Sequence, residues 1–292
     1  MLMRPHRTDC ARAIQLRLVE LNALRLNPSF PTAAWVEDLA TFEELSLVEG
    51  EYLEASRMSV SDRAAQAPTE PSAFIRWFEG LKSVGPGQHD PLFRWLAETS
   101  SLEQMKWFLT QEVAGEAGFD DLTALTQVKL PTRPKLELAR NYWDEMGRGS
   151  EKGMHGPMLE KLARSLDLNP TIEGTVEESL ALANTMAGLA ANRRYAYHSV
   201  GALGVIEMTA PARSASTTAG LKRLGISADN RHYFALHAVL DVKHSASWNY
   251  EAILPLVSSE PKIATAIAEG ALMRLECGAR CFERYRLELG LS

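Results

Sequence analysis

Apolar side chains recur every three or four residues through most of the chain. The spacing is clear in AWVEDLATFEELSLVEGEYLEASRM, in SLEQMKWFLTQEVAGEAGFDDLTALTQ and in EESLALANTMAGLAANRRYAYHSVGALGVIEM. Such spacing is typical of amphipathic helices, which have about 3.6 residues per turn. No segment combines alternating polar and apolar positions with the turn residues of a β-hairpin. The pattern therefore predicts an all-α protein.

Glycine and proline gather at four places, which predict loops between helices: residues 64–72, 83–91, 129–134 and 208–214. The last loop contains Pro211, so we expect the preceding helix to stop there. The final helical pattern begins near Pro261, with Ser259 as a potential cap. These breaks predict a helical bundle over residues 91–292 and an N-terminal helical segment, residues 1–90, packed against it.

Length and charge narrow the classes of partner. With 292 residues, the chain can bury a sizeable core without cross-linking by disulfides or metal ions. Its formal net charge is −6. The sequence is acidic overall and has no cluster of basic residues, which argues against nucleic acid or an anionic membrane as the main partner. We expect a small-molecule substrate instead.

Cysteine usage and hydropathy indicate the compartment. Three cysteines, Cys10, Cys277 and Cys281, cannot all pair, and the last two lie one helical turn apart. We therefore expect reduced thiols in a cytoplasmic protein. The N-terminal segment lacks the apolar core of a signal peptide, and no apolar run reaches the ~20 residues of a membrane span. No membrane partner is expected.

The segment HYFALHAVLDVKHSASW holds three of the seven histidines. On a helix, His237, Asp241 and His244 fall at i, i+4 and i+7 and so share one face, whereas His232 projects away from it. If that face is buried, the ionisable groups need partners, and a metal ion would supply them. The alternative is a surface helix that carries a His–Asp pair and one more histidine.

Glu207 is the second candidate. Val200, Leu203 and Gly204 lie one and two turns before it, which predicts a buried helix face. A buried carboxylate without a cation is unfavourable and tends to take up a proton. The alternative is a glutamate that reaches solvent near the end of its helix.

Two further regions carry candidate ligands. Glu145 closes one helical pattern and His155 opens the next, and three glycines between them predict a flexible turn. An earlier helix carries Glu112 and Glu116, which lie one turn apart on the same face. Either could be the ligand that this helix contributes. The alternative is that all these groups are solvated, as Glu and His near loops often are.

The candidates together combine carboxylates and imidazoles from several helices. Structural zinc sites are rich in cysteine, whereas mixed oxygen and nitrogen ligands from facing bundle helices suit a pair of iron or manganese ions. The ferritin-like arrangement needs two Glu-x-x-His pairs, and the expected helices contain none. The sequence therefore predicts a different dimetal bundle.

Three signatures resemble the heme-oxygenase-like dimetal oxidases, a family of iron-containing redox enzymes distantly similar to thiaminases and pyrroloquinoline-quinone synthase. They are NYWDEMGRG followed by Met154-His155, the single Glu207 on the helix before the histidine-rich one, and HAVLDVKH at 237–244. The resemblance covers roughly residues 90–288. It implies a heme-oxygenase-like bundle without a haem site.

The resemblance also implies ligands for two ferrous ions, with manganese as the alternative to iron, and O2 as co-substrate. These ligands are His155, Glu207, His237, Asp241, His244, a first-helix carboxylate at Glu112 with Glu116 as its competitor, and Glu145 as the extra glutamate of members that oxygenate nitrogen. An external electron donor and a homodimer are compatible with it.

The expected activity is therefore that of an O2-dependent non-haem diiron oxidase or oxygenase that acts on a small amino-acid-like substrate, with N-oxygenation favoured. Desaturation or C–C cleavage of an amino acid or fatty acid is an alternative for the same site. A metal-independent enzyme of the thiaminase or quinone-synthase kind, or a helical interaction protein, remains a third. Among Arg193, Arg194, Tyr195 and Tyr197, one is a candidate for binding a substrate carboxylate; the alternative is a solvated helix face with aromatic core residues.

Overall fold

The computed structural model of the protein describes residues 7–31, 33, 35–115 and 118–291, with side chains described from residue 11 onward. The all-α prediction is confirmed, since these ranges form helices and no β-strand. One isolated bridge joins Met146 to Met154. Within the same ranges, no helix has both the length and the apolarity that crossing a membrane requires.

The helices in chain order are α1 Arg7–Leu26, α2 Trp35–Ala64, α3 Pro71–Val84, α4 Pro91–Glu98, α5 Leu102–Gly115, α6 Phe119–Thr126 and α7 Thr132–Glu145. After two short 3₁₀ turns they continue as α8 His155–Ser165, α9 Glu177–Ala191, α10 Ala196–Arg223, α11 His232–Ser247, α12 Leu254–Ser259 and α13 Ile263–Leu289. A π-helical turn, Trp248–Ile253, joins α11 to α12.

The N-terminal helices share a core with the later ones. Leu53 of α2 and Phe74 and Phe78 of α3 lie fully buried in the same apolar cluster as Leu203 of α10 and Trp248. The N-terminal segment thus packs on the bundle, and its division from the rest at residue 90 stays a prediction. Cys277 and Cys281 are buried free thiols in α13, whereas the side chain of Cys10 lies outside the described part.

Helices α10 and α13 form the centre of the bundle and touch through glycine. A Cβ atom on Gly201 would clash with the backbone carbonyl of Ile267, and one on Gly270 would clash with the carbonyl of His198. The absence of both side chains lets the two helix backbones meet directly. This contact fixes the height and rotation of α10, the helix that carries Glu207.

The expected stop at Pro211 is wrong, because α10 continues through this residue to Arg223. Proline cannot donate a hydrogen bond to the carbonyl four residues earlier, which belongs to Glu207. Pro211 is itself buried, and α10 packs against α4, α11 and α13 along its length. This packing offsets the loss of one helical hydrogen bond, so tertiary contacts override the local signal.

Two other boundaries also differ from the sequence pattern. The single long pattern that contains α9 and α10 is interrupted at Asn192–Tyr195, where the Asn192 side chain accepts a hydrogen bond from the Arg194 backbone. Ser259 ends α12 instead of capping the last helix, which begins at Ile263. Both differences arise at short turns between packed helices.

The glycine contact predicts a clear stability difference. Gly201→Ala should lower the free energy of unfolding by about 1–3 kcal/mol, because the added methyl group forces the two backbones apart. Gly80→Ala in α3 is the matched control, since a Cβ atom added at Gly80 would meet nothing within 4 Å. It should raise stability by about 0.5–1 kcal/mol through helix propensity alone. Urea denaturation of both variants measures the difference, and equal effects would contradict the close contact.

Candidate metal centre

The first group of candidate ligands forms where α7 ends and α8 begins. Gly147 has φ of 59°, and a Cβ atom there would clash with the backbone of Gly153, so the turn requires glycine at position 147. The expected flexible turn is a compact one, closed by the Met146–Met154 bridge. It returns His155 to Glu145, with Nδ1 of the histidine 2.6 Å from Oε2 of the glutamate.

His237 of α11 completes this group, which we call the first trio: Glu145, His155 and His237. Each residue offers one ligand atom, and these atoms all lie within 4.8 Å of one another. The ring centroids of His155 and His237 are 4.7 Å apart, and the rings meet edge to face. His237 Nδ1 lies 2.8 Å from the Tyr233 carbonyl oxygen, so it carries the proton and leaves the Nε2 lone pair free for a metal.

The second trio consists of Glu207 from α10 and of Asp241 and His244 from α11. All three side chains are buried, and their ligand atoms also lie within 4.8 Å of one another. His244 Nδ1 is 3.6 Å from Glu207 Oε2. As the sequence predicts, α11 turns His237, Asp241 and His244 toward one side; they divide between the two trios.

Two residues that sequence analysis missed hold the second trio in place. Asn141 donates a hydrogen bond from Nδ2 to Glu207 Oε1 over 2.6 Å. Asp144 accepts one from His244 Nε2 over 3.0 Å. Together with Glu145 they occupy positions i, i+3 and i+4 of α7, so a polar stripe on one helix face was the available signal. The Asp144 contact leaves His244 Nδ1 facing the trio.

The trios contain buried polar atoms that approach carboxylates or imidazoles of the protein but lack a well-aligned hydrogen bond. Among the described residues, His155 Nδ1, Glu207 Oε2 and His244 Nδ1 are buried and make no hydrogen bond of acceptable geometry. Orphaned buried groups are rare in folded proteins and call for a ligand, an ion or water. Because they point at shared centres and combine nitrogen with carboxylate oxygen, these residues fit divalent metal ions of the first transition row.

The electrostatics of the metal-free protein lead to the same conclusion. Burial, with the nearby charges of Glu207 and Glu145, raises the pKa of Asp241 to about 9. Burial lowers the pKa of His244, but the neighbouring Glu207 and Asp144 carboxylates outweigh it and raise the value to about 9. Protons therefore balance the second trio at neutral pH, and a metal ion that binds there displaces them.

His237 behaves in the opposite way. Burial is the main cause that lowers its pKa to about 4. Its ring is therefore neutral at physiological pH, the state in which imidazole binds metals. The first trio needs no deprotonation of this ligand before a cation enters.

Both trios open onto one cavity of about 140 Å³. Glu145 and His237 of the first trio and Glu207 and Asp241 of the second line it, with aromatic rings on the other walls: Phe93, Phe108, Phe119, Tyr233 and Phe234. A cavity of about 150 Å³ accommodates a benzene-sized molecule. The space suits a small substrate that lies directly beside the candidate ligands.

The first-helix carboxylate has a different set of neighbours. Glu112 lines the same cavity, but it belongs to neither trio, and its surroundings are Arg213, Arg274 and the Tyr285 hydroxyl. Its role as an iron ligand stays a prediction. The competing Glu116 lies outside the described residues.

The suggested carboxylate-binding residues before Glu207 lie elsewhere. Arg193 donates to the carbonyls of Leu125, Thr126 and Val128, and both Arg194 and Tyr195 bind Glu54. None of them lines the cavity, and neither does Tyr197. The arginines that do line it are Arg213 and Arg274. Sequence analysis missed Arg213 because residues 208–214 were expected to form a loop, and it missed Arg274 because the inward side of α13 depends on the neighbouring helices.

Comparisons with known proteins agree with this architecture. A family model described as iron-containing redox enzyme matches residues 106–279. A CADD-like protein of unknown function from Nostoc punctiforme, solved at 1.35 Å, aligns with a TM-score of 0.52 and 16% identity over 81% of this chain and 95% of that chain. Its 2.00 Å structure gives 0.50 and 16%, over 81% and 98%. At this identity the likeness shows the fold alone. No curated protein matches significantly.

The Asp144 contact predicts a loss of metal affinity. Asp144→Asn cannot accept the same charge-assisted hydrogen bond, so the His244 ring loses its fixed orientation and Mn²⁺ should bind about 10–100-fold more weakly. Asp229→Asn, a change at an exposed carboxylate paired with Lys161, should bind Mn²⁺ as the parent does. Titration followed by electron paramagnetic resonance measures free Mn²⁺, and unchanged affinity in Asp144→Asn would exclude this positioning role.

Proposed function

The chain belongs to the iron-containing redox enzyme family, whose model matches more than half of it, and we propose that it is an O2-dependent non-haem diiron oxidoreductase. Its substrate in this proposal is a small amino-acid-like molecule, and the favoured reaction is N-oxygenation. The observation that carries the proposal is the pair of trios, Glu145–His155–His237 and Glu207–Asp241–His244, at one cavity.

The composition of the trios supports iron. One trio has one carboxylate and two imidazoles, and the other has two carboxylates and one imidazole. Such mixed ligands suit iron or manganese better than structural zinc, and the lack of cysteine in both trios argues in the same direction. Three protein ligands per ion also leave coordination positions open for small molecules.

The charges of the protein favour divalent ions at both trios. Once the protons are displaced, the ligand set consists of neutral imidazoles and three buried, ionised carboxylates: Glu145, Glu207 and Asp241. Two divalent cations neutralise this negative charge and leave a small positive excess, which favours anionic species in the cavity. Carboxylates that are buried without cations would be strongly unfavourable.

N-oxygenation by O2 needs electrons that the substrate does not supply. Placing one oxygen atom of O2 in an N–H bond and reducing the other to water requires two electrons and two protons besides the substrate. Two ferrous ions in the trios would supply one electron each, and an external donor would restore them. The aromatic rings that line part of the cavity would limit the contact of bulk water with the reacting nitrogen. Glu145 supports this reaction because the extra glutamate characterises the nitrogen-oxygenating members in the resemblance.

Iron stoichiometry tests the proposal. Protein loaded with ferrous ion under anaerobic conditions should hold about two irons per chain and should consume O2 faster when a substrate amino acid is present. Glu145→Gln removes the only anionic ligand of the first trio, so it should hold about one iron and lose this O2 consumption.

Glu137→Gln provides the matched control. Glu137 is a buried glutamate on the same helix, but it pairs with Arg140 and lies outside the cavity. This variant should keep the parent's iron content. Parent protein without stoichiometric iron, or equal iron content in both variants, would rule out the diiron proposal. Product analysis then separates N-oxygenation from desaturation or C–C cleavage by mass.

A further inference from the structure

Two arginines that belong to neither trio line the cavity. Arg213 of α10 and Arg274 of α13 both face it, and with Glu112 they also border an adjoining space of about 90 Å³. The three residues therefore lie between the two spaces. Arg274 rests against Gly278, where a Cβ atom would come within 2.8 Å of its guanidinium Nη1.

The charges of this group do not balance. Both guanidinium groups approach Glu112, and Arg213 also lies within electrostatic range of Asp241 in the second trio. Among the ion pairs of described residues, none includes Arg213 or Arg274, and the buried Nε of Arg274 has no hydrogen-bond partner. Most other arginines in the described chain pair with carboxylates or carbonyls, as Arg57 does with Glu54 and Arg223 with Leu96.

Aromatic rings hold Arg213 in place without using its hydrogen-bond donors. Its guanidinium carbon lies 5.5 Å from the Phe282 ring centroid and 6.0 Å from that of Phe93. Cation–π contacts of this kind orient the planar group while its N–H donors stay available. A pre-oriented guanidinium with free donors is suited to bidentate binding of a carboxylate.

From this arrangement we propose that Arg213 and Arg274 bind a carboxylate of the substrate in the part of the cavity that they line. The substrate is then a small carboxylic acid whose other end reaches the trios. The position of the reacting end rests on the proposed function, whereas the anion site itself does not. A carboxylate supplies the negative charge that the two arginines and Glu112 leave unbalanced.

Binding of benzoate to metal-free protein tests this site apart from any iron chemistry. Benzoate and benzamide share size and shape but differ in charge. Without metal, the trios hold no divalent cation that attracts anions, so a preference for benzoate reports the arginines. By calorimetry the parent should bind benzoate about tenfold or more tightly than benzamide.

Substitutions at the arginines should remove that preference. Arg213→Gln and Arg274→Gln should bind both compounds equally, and Arg213→Lys should keep part of the preference because it retains the charge but loses the planar fork. Arg164→Gln, at an exposed arginine of α8 paired with Glu160, should behave as the parent does. Circular dichroism of each variant checks that the helices are intact.

The outcomes separate the two proposals. A parent protein that does not favour benzoate, or folded Gln variants that favour it as the parent does, would overturn the carboxylate site even if two irons bind. Arginine-dependent benzoate binding in a protein that takes up no stoichiometric iron would keep the site and reject the diiron function.

Discussion

The burial of three carboxylates around one cavity is the constraint on which the structure of the site depends. Glu145, Glu207 and Asp241 are each at most 5% exposed and lie around one cavity. Ionised carboxylates in such a place are strongly unfavourable unless a counter-charge is present. In the metal-free protein, protons on Asp241 and His244 supply that charge, and in the proposed function divalent ions would replace them.

Three local features of the fold bring the charged groups to this cavity. The glycine contact of α10 with α13 places Glu207, and the continuation of α10 through Pro211 carries Arg213 to the same cavity. The tight turn at Gly147 brings His155 back to Glu145. Helices that would otherwise be ordinary packing elements thus direct acidic, basic and imidazole groups into one small volume, where each group changes the charge balance of the others.

The sequence was sufficient for the fold class, for the family of iron-containing redox enzymes and for the shared face of α11, because helical periodicity and motif spacing are local signals. The spacing of Glu145 and His155 indicated a paired position but not the compact turn that joins them. Arg213 could not be found, because proline is a local helix breaker and only packing keeps α10 intact beyond it. Asp144 and Arg274 were missed because each lies on an amphipathic helix whose inward side depends on its neighbours.

Anomalous X-ray scattering from crystals of iron-loaded protein, prepared without oxygen and measured on both sides of the iron absorption edge, tests the central claim most directly. The account predicts two peaks, one within about 2.0–2.3 Å of ligand atoms of Glu145, His155 and His237 and one at the same distances from Glu207, Asp241 and His244. A single peak, or iron bound elsewhere while both trios stay empty, would contradict it.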